Sequence, residues 1–464
     1  MQGGVMAKVV FMGAGSTVFA RNVIGDCMCR EALKDSHFAL YDIDADRPAE
    51  SKYILDVINK NVNGGRATIT AHLGVRNRKA ALKGADFVVN AIQVGGYEPS
   101  TVIDFEIPKK FGLRQTIADT LGIGGIFRAL RTIPVMLDFG YEMEQVCPNA
   151  WLLNYTNPMA MLTGAMLKAT DVKTVGLCHS VQVCVSSLFK SLGLDTGEGF
   201  DRIQAKIAGI NHMAWLLELT RDGKDLYPEI KKIAARKVKE WRKNKNEFID
   251  GGRKIMKECE GGNMIRLEMM RLFGYYVTES SEHNAEYAPW WIKSRYPEIA
   301  DEYRIPLDEY PRRCVNQIAG WKKMYQELHD DPKLSHTLSN EYGSLIMESI
   351  VADKPVQIGG NVINNGLITN LPSDAVVEVP CLVNRNGVQG TFVGDLPTQC
   401  AAMNMTNINV QLLTIEAALT LKKERIYQAA LLDPHTAAEL PVDKIIKMCD
   451  ALIEAHGDML PKYR

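Results

Sequence analysis

Up to about residue 200, short apolar runs rich in β-branched residues alternate with longer stretches whose apolar positions repeat at helical spacing. The pattern predicts strands over residues 7–13, 37–43, 85–92, 150–156 and 173–178. The intervening segments are long enough for crossover helices, so the expected fold is α/β, with a doubly wound parallel sheet of the Rossmann type. Beyond residue 200 the pattern changes. Residues 205–210 and 214–228 read as antiparallel strands, the second with a hairpin turn at Asp222-Gly223. The Lys/Arg-rich stretch 231–248 reads as the solvated face of a helix. Residues 362–389, with two Asn-Gly turns, read as a second antiparallel sheet, and the chain from about Leu396 as helices. The expected division is a doubly wound domain over 1–200 and a mixed α+β domain over 201–464.

Composition narrows the partners. With 464 residues, 46% of them hydrophobic, and a formal net charge of −1, the chain has the make-up of a globular protein without a global field towards nucleic acid or an anionic membrane. A small-molecule partner is expected. The ten cysteines are scattered, with Cys27 and Cys29 the one close pair. No leader-like segment and no apolar stretch of membrane-spanning length is evident, so reduced thiols and a cytoplasmic location are expected.

Gly13-Ala14-Gly15-Ser16-Thr17-Val18 follows the first predicted strand and opens a helix, the context that a dinucleotide fingerprint requires. Gly13 permits the tight turn, and Gly15 admits a pyrophosphate to the helix N-terminus; Val18 stands where the third glycine is usual. Asp42, at the end of the second strand, is placed to bind the adenosine ribose and to reject a 2′-phosphate, which favours NAD over NADP. The other reading of Asp42 is a helix cap, with Asp44 then next in line for the ribose. Two further strand ends carry Gln93 with Gly95-Gly96, and Asn154 with Asn157. Gly13, Gly15, Ser16, Thr17, Asp42, Gln93 and Asn154 are the cofactor-binding candidates. The arrangement resembles the lactate and malate dehydrogenase group, without its arginine-plus-histidine site for a hydroxy acid.

Cys178 and His212 each follow an apolar run and are expected at the carboxyl ends of strands in the parallel sheet, where ligands of such folds bind. They read either as buried core residues or as two ligands of an open metal site. A closed zinc site would need four ligands, and the sequence shows two.

Taken together, GAGST, LYDID, QVGGYEP, QTIADTLGIGGIFRALR, LLNYTNPMAM, GLCHSVQ, GINHMAW and VTESSEHNAEYAPW resemble glycoside hydrolase family 4, in its non-phosphorylated α-galactoside branch. The resemblance implies a cytoplasmic homodimer or homotetramer that needs NAD+, a divalent metal, usually Mn2+, and reducing conditions. It implies hydride removal from C3 of the sugar, deprotonation at C2, expulsion of the group at C1, addition of water and return of the hydride, an exception to the two-carboxylate rule of glycosidases. By the same resemblance Cys178 and His212 are the metal ligands, and Asn154 and Asp119 bind the sugar. His179, at the position of an acid in the 6-phosphosugar branch, stands beside the sugar and the leaving group. The C2 base falls on Tyr287 or His283. α-Glucosides, α-glucuronides and α-galacturonides are the neighbouring substrate classes, and a plain hydroxy-acid dehydrogenase the alternative chemistry.

Overall fold

The computed structural model describes residues 6–44, 46–194, 196–197, 199–243 and 263–464. Positions 1–5 and the end of the basic stretch, 244–248, lie outside them. All strands of the described residues join one 13-stranded sheet. Six of them form its parallel part: β1 (Lys8–Met12), β2 (His37–Asp42), β3 (Thr68–Leu73), β4 (Phe87–Asn90), β5 (Trp151–Asn154) and β6 (Lys173–Gly176). Their order, β3-β2-β1-β4-β5-β6, reverses direction between β1 and β4 and opens a crevice there. Five of the six were predicted. The sixth, β3, is an edge strand in which only Ile69 is buried, so TITAHL carries little hydrophobic signal.

The expected second antiparallel sheet is corrected to a continuation of the first. β11 (Val356–Ile363) pairs antiparallel with β6, β12 (Val376–Asn384) with β11, and β7 (Ile203–Ile210) with β12. β8 (Met213–Arg221) and the short β9 (Lys224–Asp225) and β10 (Tyr276–Val277) extend that side, and β13 (Gly387–Gly390) pairs with β12. The edge of β6 would otherwise present unpaired amides and carbonyls, and the β11–β12 hairpin closes it. The predicted turn holds: Asp222 and Gly223 both have positive φ (52° and 75°) between β8 and β9.

Helices flank the sheet. α1 (Thr17–Cys29) follows β1, α2 (Val102–Phe111) and α3 (Gly122–Val146) lie between β4 and β5, and α4 (Met159–Ala169) follows β5. α5 (His179–Leu192) follows β6, α6 (Tyr227–Lys243) carries the start of the basic stretch, α7 (Ser281–Glu286) follows β10, and α8 (Thr398–Thr420) packs on α3 and α4. The last long helix, α9 (Val442–His456), is bound to the parallel half by a buried polar cluster. Asp104 of α2 accepts two bonds from Arg131 of α3 (3.1 and 2.6 Å) and pairs with His456 Nε2 at 2.9 Å. Arg131 Nε also donates to the carbonyl of Val94, in the loop after β4. Among the described residues no helix is long and apolar enough to cross a membrane.

Arg131 and His456 side chains are fully buried and Asp104 nearly so. Removing the shared carboxylate strands a cation in the core, which costs about 3–5 kcal/mol. Asp104→Ala is therefore expected to lower the urea unfolding midpoint strongly, as read by circular dichroism.

Candidate active site

A cavity of about 390 Å3 opens outside the carboxyl ends of β4, β5 and β6. Its wall takes Ala91, Ile92 and Gln93 from the loop after β4, Tyr155, Thr156 and Asn157 after β5, and Leu177, Cys178 and His179 after β6. His212, Glu279 and His283 close the far side, and Asp119 approaches from the segment that leads into α3 and Arg128 from α3 itself.

The dinucleotide candidates gather beside this cavity. Gly13 (φ +87°) and Ala14 both donate to the carbonyl of Tyr41 at 3.0 Å, which pins the turn to β2. A Cβ on Gly13 would lie 2.7 Å from the carbonyl oxygen of Ala91, so the turn demands glycine. The Gly15 amide donates to Asp42 Oδ2 at 2.6 Å, and a Cβ there would meet that oxygen at 2.7 Å. Asp42 stands half-buried at the strand end, while Asp44 accepts from the Asp46 and Arg47 amides and so caps the next helix. Ser16 is exposed at the start of α1. The expectation for Thr17 is corrected in part: its side chain is buried on Ser51 (2.8 Å), which leaves only the backbone for a ligand. Gly95 (φ +79°) answers to its own loop, since a Cβ would meet Ser100 Oγ. The tight glycine turn at the start of α1 and the Asp42 carboxylate at the end of β2 fit a dinucleotide.

Cys178 and His212 do converge, but not as two ends of a parallel sheet. Cys178 caps α5 two residues past β6, whereas His212 (φ +63°) sits in the Asn211-His212 turn between antiparallel β7 and β8. Glu279 (φ +66°) joins them, and one ligand atom from each of the three lies within 4.8 Å of the others. A thiol, an imidazole and a carboxylate on one side of a cavity suit a divalent ion that keeps positions open for substrate. Burial, with Glu378 and Glu279 nearby, pushes the Cys178 thiol well up. Burial would also raise Glu279, but His212 and His283 outweigh it and hold the carboxyl at about 2.

Tyr287 is corrected from a cavity residue to a support. It is fully buried and outside the lining, and its hydroxyl lies 2.8 Å from His212 Nδ1 and 2.9 Å from His283 Nδ1. A phenol oxygen has two lone pairs and accepts from both rings. With the protons so assigned, Nε2 of His212 is free to ligate and Nε2 of His283 is free to take a proton. Burial together with the Asp119, Glu279 and Glu286 carboxylates pushes the Tyr287 phenol well above its ordinary value, so it remains a hydroxyl.

His179 faces the cavity with Nε2 2.7 Å from Glu341 Oε2, and that bond raises its pKa. Asp119 also lines the cavity, accepting from Thr120 Oγ1 (2.8 Å) and Asn157 Nδ2 (3.1 Å). Burial would raise its carboxyl, but His283, Arg128 and His212 hold it below the usual range. Asn154 is a further correction: fully buried, it bonds Asn90, Thr156 and Thr163 and lies outside the lining, while Asn157, three residues on, faces the cavity. Glu279, Glu341, Arg128 and Asn157 were not among the predicted site residues. Glu279 lies inside the VTESSEH stretch, Arg128 inside QTIADTLGIGGIFRALR and Asn157 beside Asn154 at a strand end, while Glu341 falls in none of the stretches that carried the resemblance.

Comparison with known proteins supplies a family. The Family 4 glycosyl hydrolase model matches residues 8–194, and the model of the Family 4 glycosyl hydrolase C-terminal domain matches residues 207–436. An alpha-galactosidase of Bacillus subtilis (strain 168) is 58% identical over 459 residues, covering 99% of this chain and 100% of that protein. An alpha-galactosidase of Rhizobium meliloti (strain 1021) is 33% identical, over 98% and 89%. Among solved structures, a 6-phospho-alpha-glucosidase from gut microorganisms in complex with NAD and Mn2+ shares the fold, with a TM-score of 0.78, 21% identity, and 99% and 100% coverage. The two family models and the near-complete match in length together place this chain in family 4 of the glycosyl hydrolases.

Proposed function

We propose that the protein is an α-galactosidase that cleaves melibiose-like α-galactosides with bound NAD+ and a divalent ion such as Mn2+. The observation that carries the reading is the Cys178–His212–Glu279 donor set in a cavity whose wall includes Ala91, the residue against which the Gly13 turn of the dinucleotide cradle packs. The 58% identity to an alpha-galactosidase supports the choice of sugar. When bound, NAD+ supplies a hydride acceptor at a sugar carbon and the ion a Lewis acid at neighbouring sugar oxygens.

The protein's own groups do the rest. Asp119 and Asn157, bonded to each other, accept from and donate to sugar hydroxyls and fix the ring in the cavity. His283 offers Nε2 as the base at C2, its orientation set by Tyr287. His179, whose pKa the Glu341 bond raises, donates to the departing glycosidic oxygen. In this reading the first 200 residues hold the dinucleotide, and 201–464 contribute His212, Glu279 and His283. The described cysteines are all free thiols, in keeping with a cytoplasmic enzyme, here proposed as a homodimer or homotetramer.

Cleavage of melibiose by reduced protein in D2O, followed by NMR, tests the proposal. Activity is expected to vanish when NAD+, Mn2+ or reductant is omitted, and the released galactose is expected to carry deuterium at C2. Cleavage without NAD+, or NADH accumulating from a hydroxy acid in place of cleavage, would overturn it.

Because burial keeps the Cys178 thiol protonated, the ion must displace a proton. Calorimetry in buffers of different ionisation heat is expected to show proton release on Mn2+ binding, with affinity falling about tenfold for each unit the pH is lowered, per proton released. Cys178→Ala is expected to abolish that binding.

The two base candidates separate by variant. His283→Ala is expected to lower kcat by about 10²–10⁴ with Mn2+ affinity retained. Tyr287→Phe is expected to weaken Mn2+ affinity by about 10–100-fold through His212. Kinetics and calorimetry on both variants check the assignment, and a reversed pattern would make Tyr287 the base.

A further inference from the structure

α7 is short, yet it sends three side chains to the site. His283 reaches the cavity, Tyr287 at its C-terminal cap holds the two imidazoles, and Glu286 turns the other way, towards the loop between α2 and α3. Glu286 is only 2% exposed. Its Oε1 accepts from the amides of Thr116 (2.5 Å) and Ile117 (3.0 Å), and its Oε2 from that of Ala118 (3.0 Å). Three consecutive amides thus converge on one carboxylate, as in an anion-binding nest. Ala118 adopts φ +52°, a left-handed conformation that such a nest uses and that an alanine pays for in strain. The next residue is Asp119. Thr116 adds a second tie to the same helix through Oγ1 to the carbonyl of Glu282 (2.8 Å).

We propose that Glu286 is the positioning residue for Asp119, fixing that carboxylate against His283 across the sugar. The inference rests on the α-galactosidase reading, in which Asp119 contacts the sugar. The geometry gives the reason. The loop that delivers Asp119 has no sheet or helix partner for the amides of residues 116–118, and burial makes an unpaired amide expensive. One carboxylate satisfies all three and grows from the helix that carries His283, so the separation of the two cavity groups is set by a single short element. Burial pushes the Glu286 carboxyl up to about 7, against the pull of the Ala118 and Thr116 amides.

Glu286→Gln keeps the length of the arm and one acceptor oxygen but turns an NH2 group against the Ala118 amide. It is expected to lower kcat/KM for melibiose by about 10–100-fold, the scale of a small misplacement of a binding group. A purely structural role would multiply with other losses, whereas a role exerted through Asp119 would not. In the Asp119→Asn background, Glu286→Gln is therefore expected to cost less than about twofold. Unchanged activity of the single variant, or losses that multiply in the double variant, overturn the proposal. Where Glu286→Gln does not fold, Glu286→Asp, with the charge kept and the arm shortened, takes its place in the same cycle. Hydrogen exchange reads the clamp without turnover: the amides of residues 116–118 are expected to be protected in the wild type and to exchange faster in the variant. Fast exchange in the wild type overturns the clamp even if melibiose is cleaved. Protein that fails on melibiose but shows the protected amides sinks the substrate reading alone.

Discussion

A buried strand edge has to be paired, and in this protein that requirement brings Cys178 and His212 into one cavity. β6 ends the parallel half of the sheet and β7 begins the antiparallel extension, and the β11–β12 hairpin fills the gap between them. Its contacts are specific: Asn361 of β11 lies opposite Gly176 of β6, and Glu378 of β12 opposite Gly209 of β7. The two side chains are bonded to each other at 2.9 Å and fully buried. Both partner positions are glycine, and a Cβ on Gly176 would stand 2.9 Å from that of Asn361. Two residues after Gly176 comes Cys178, and three after Gly209 comes His212. The register of one hairpin therefore sets the spacing of the Cys178 thiol and the His212 imidazole, far apart in the chain, and burial that pushes the Glu378 carboxyl up to about 7 is the cost of using a polar pair as the spacer.

The same long-range pairing explains what the sequence disclosed and what it withheld. Five parallel strands were legible because each is a short, largely apolar run buried on both faces, the condition of a parallel sheet core. β3 escaped because it lies on an edge, and the joining of residues 356–384 to β6 and β7 escaped because no local periodicity encodes a partner some 150 or more residues away. The site followed a similar division. Cys178, His179, His212, His283 and Asp119 were legible from motif context, and all five line the cavity.

Asn154, Tyr287 and Thr17 show why residue identity alone misleads. Asn154 ends β5 with its side chain turned into the sheet interior, and the chain must run three residues further before Asn157 emerges at the cavity. Tyr287 and His283 are one helical turn apart, so they share a face, yet only the nearer reaches the opening. Thr17 spends its hydroxyl on Ser51. Glu279 and Arg128 fall inside recognised stretches, but nothing there singles them out from their neighbours, and Glu341 is a lone charge in none of those stretches. Two of them act through partners supplied by distant segments, Glu341 on His179 and Arg128 on Tyr310.

Arg128 also bears on why a dehydrogenase-like cavity should serve a neutral sugar. A hydroxy-acid substrate needs a guanidinium with its fork free for bidentate pairing. Arg128 is the one guanidinium that the described residues bring to the cavity wall, and it is engaged: Nε donates to the carbonyl of Asn157 and Nη1 to the hydroxyl of Tyr310, each at 3.2 Å. Its charge is balanced by Asp119, which lines the same wall. A substrate carboxylate there would meet Asp119, whose carboxyl, despite burial, His283 and Arg128 hold below its usual range, and like charges close together in a buried site repel. A sugar hydroxyl meets no such barrier, since it donates to the carboxylate and accepts from the Asn157 amide. The Asp119–Asn157 pair on this wall thus offers both an acceptor and a donor to the hydroxyls of a neutral sugar.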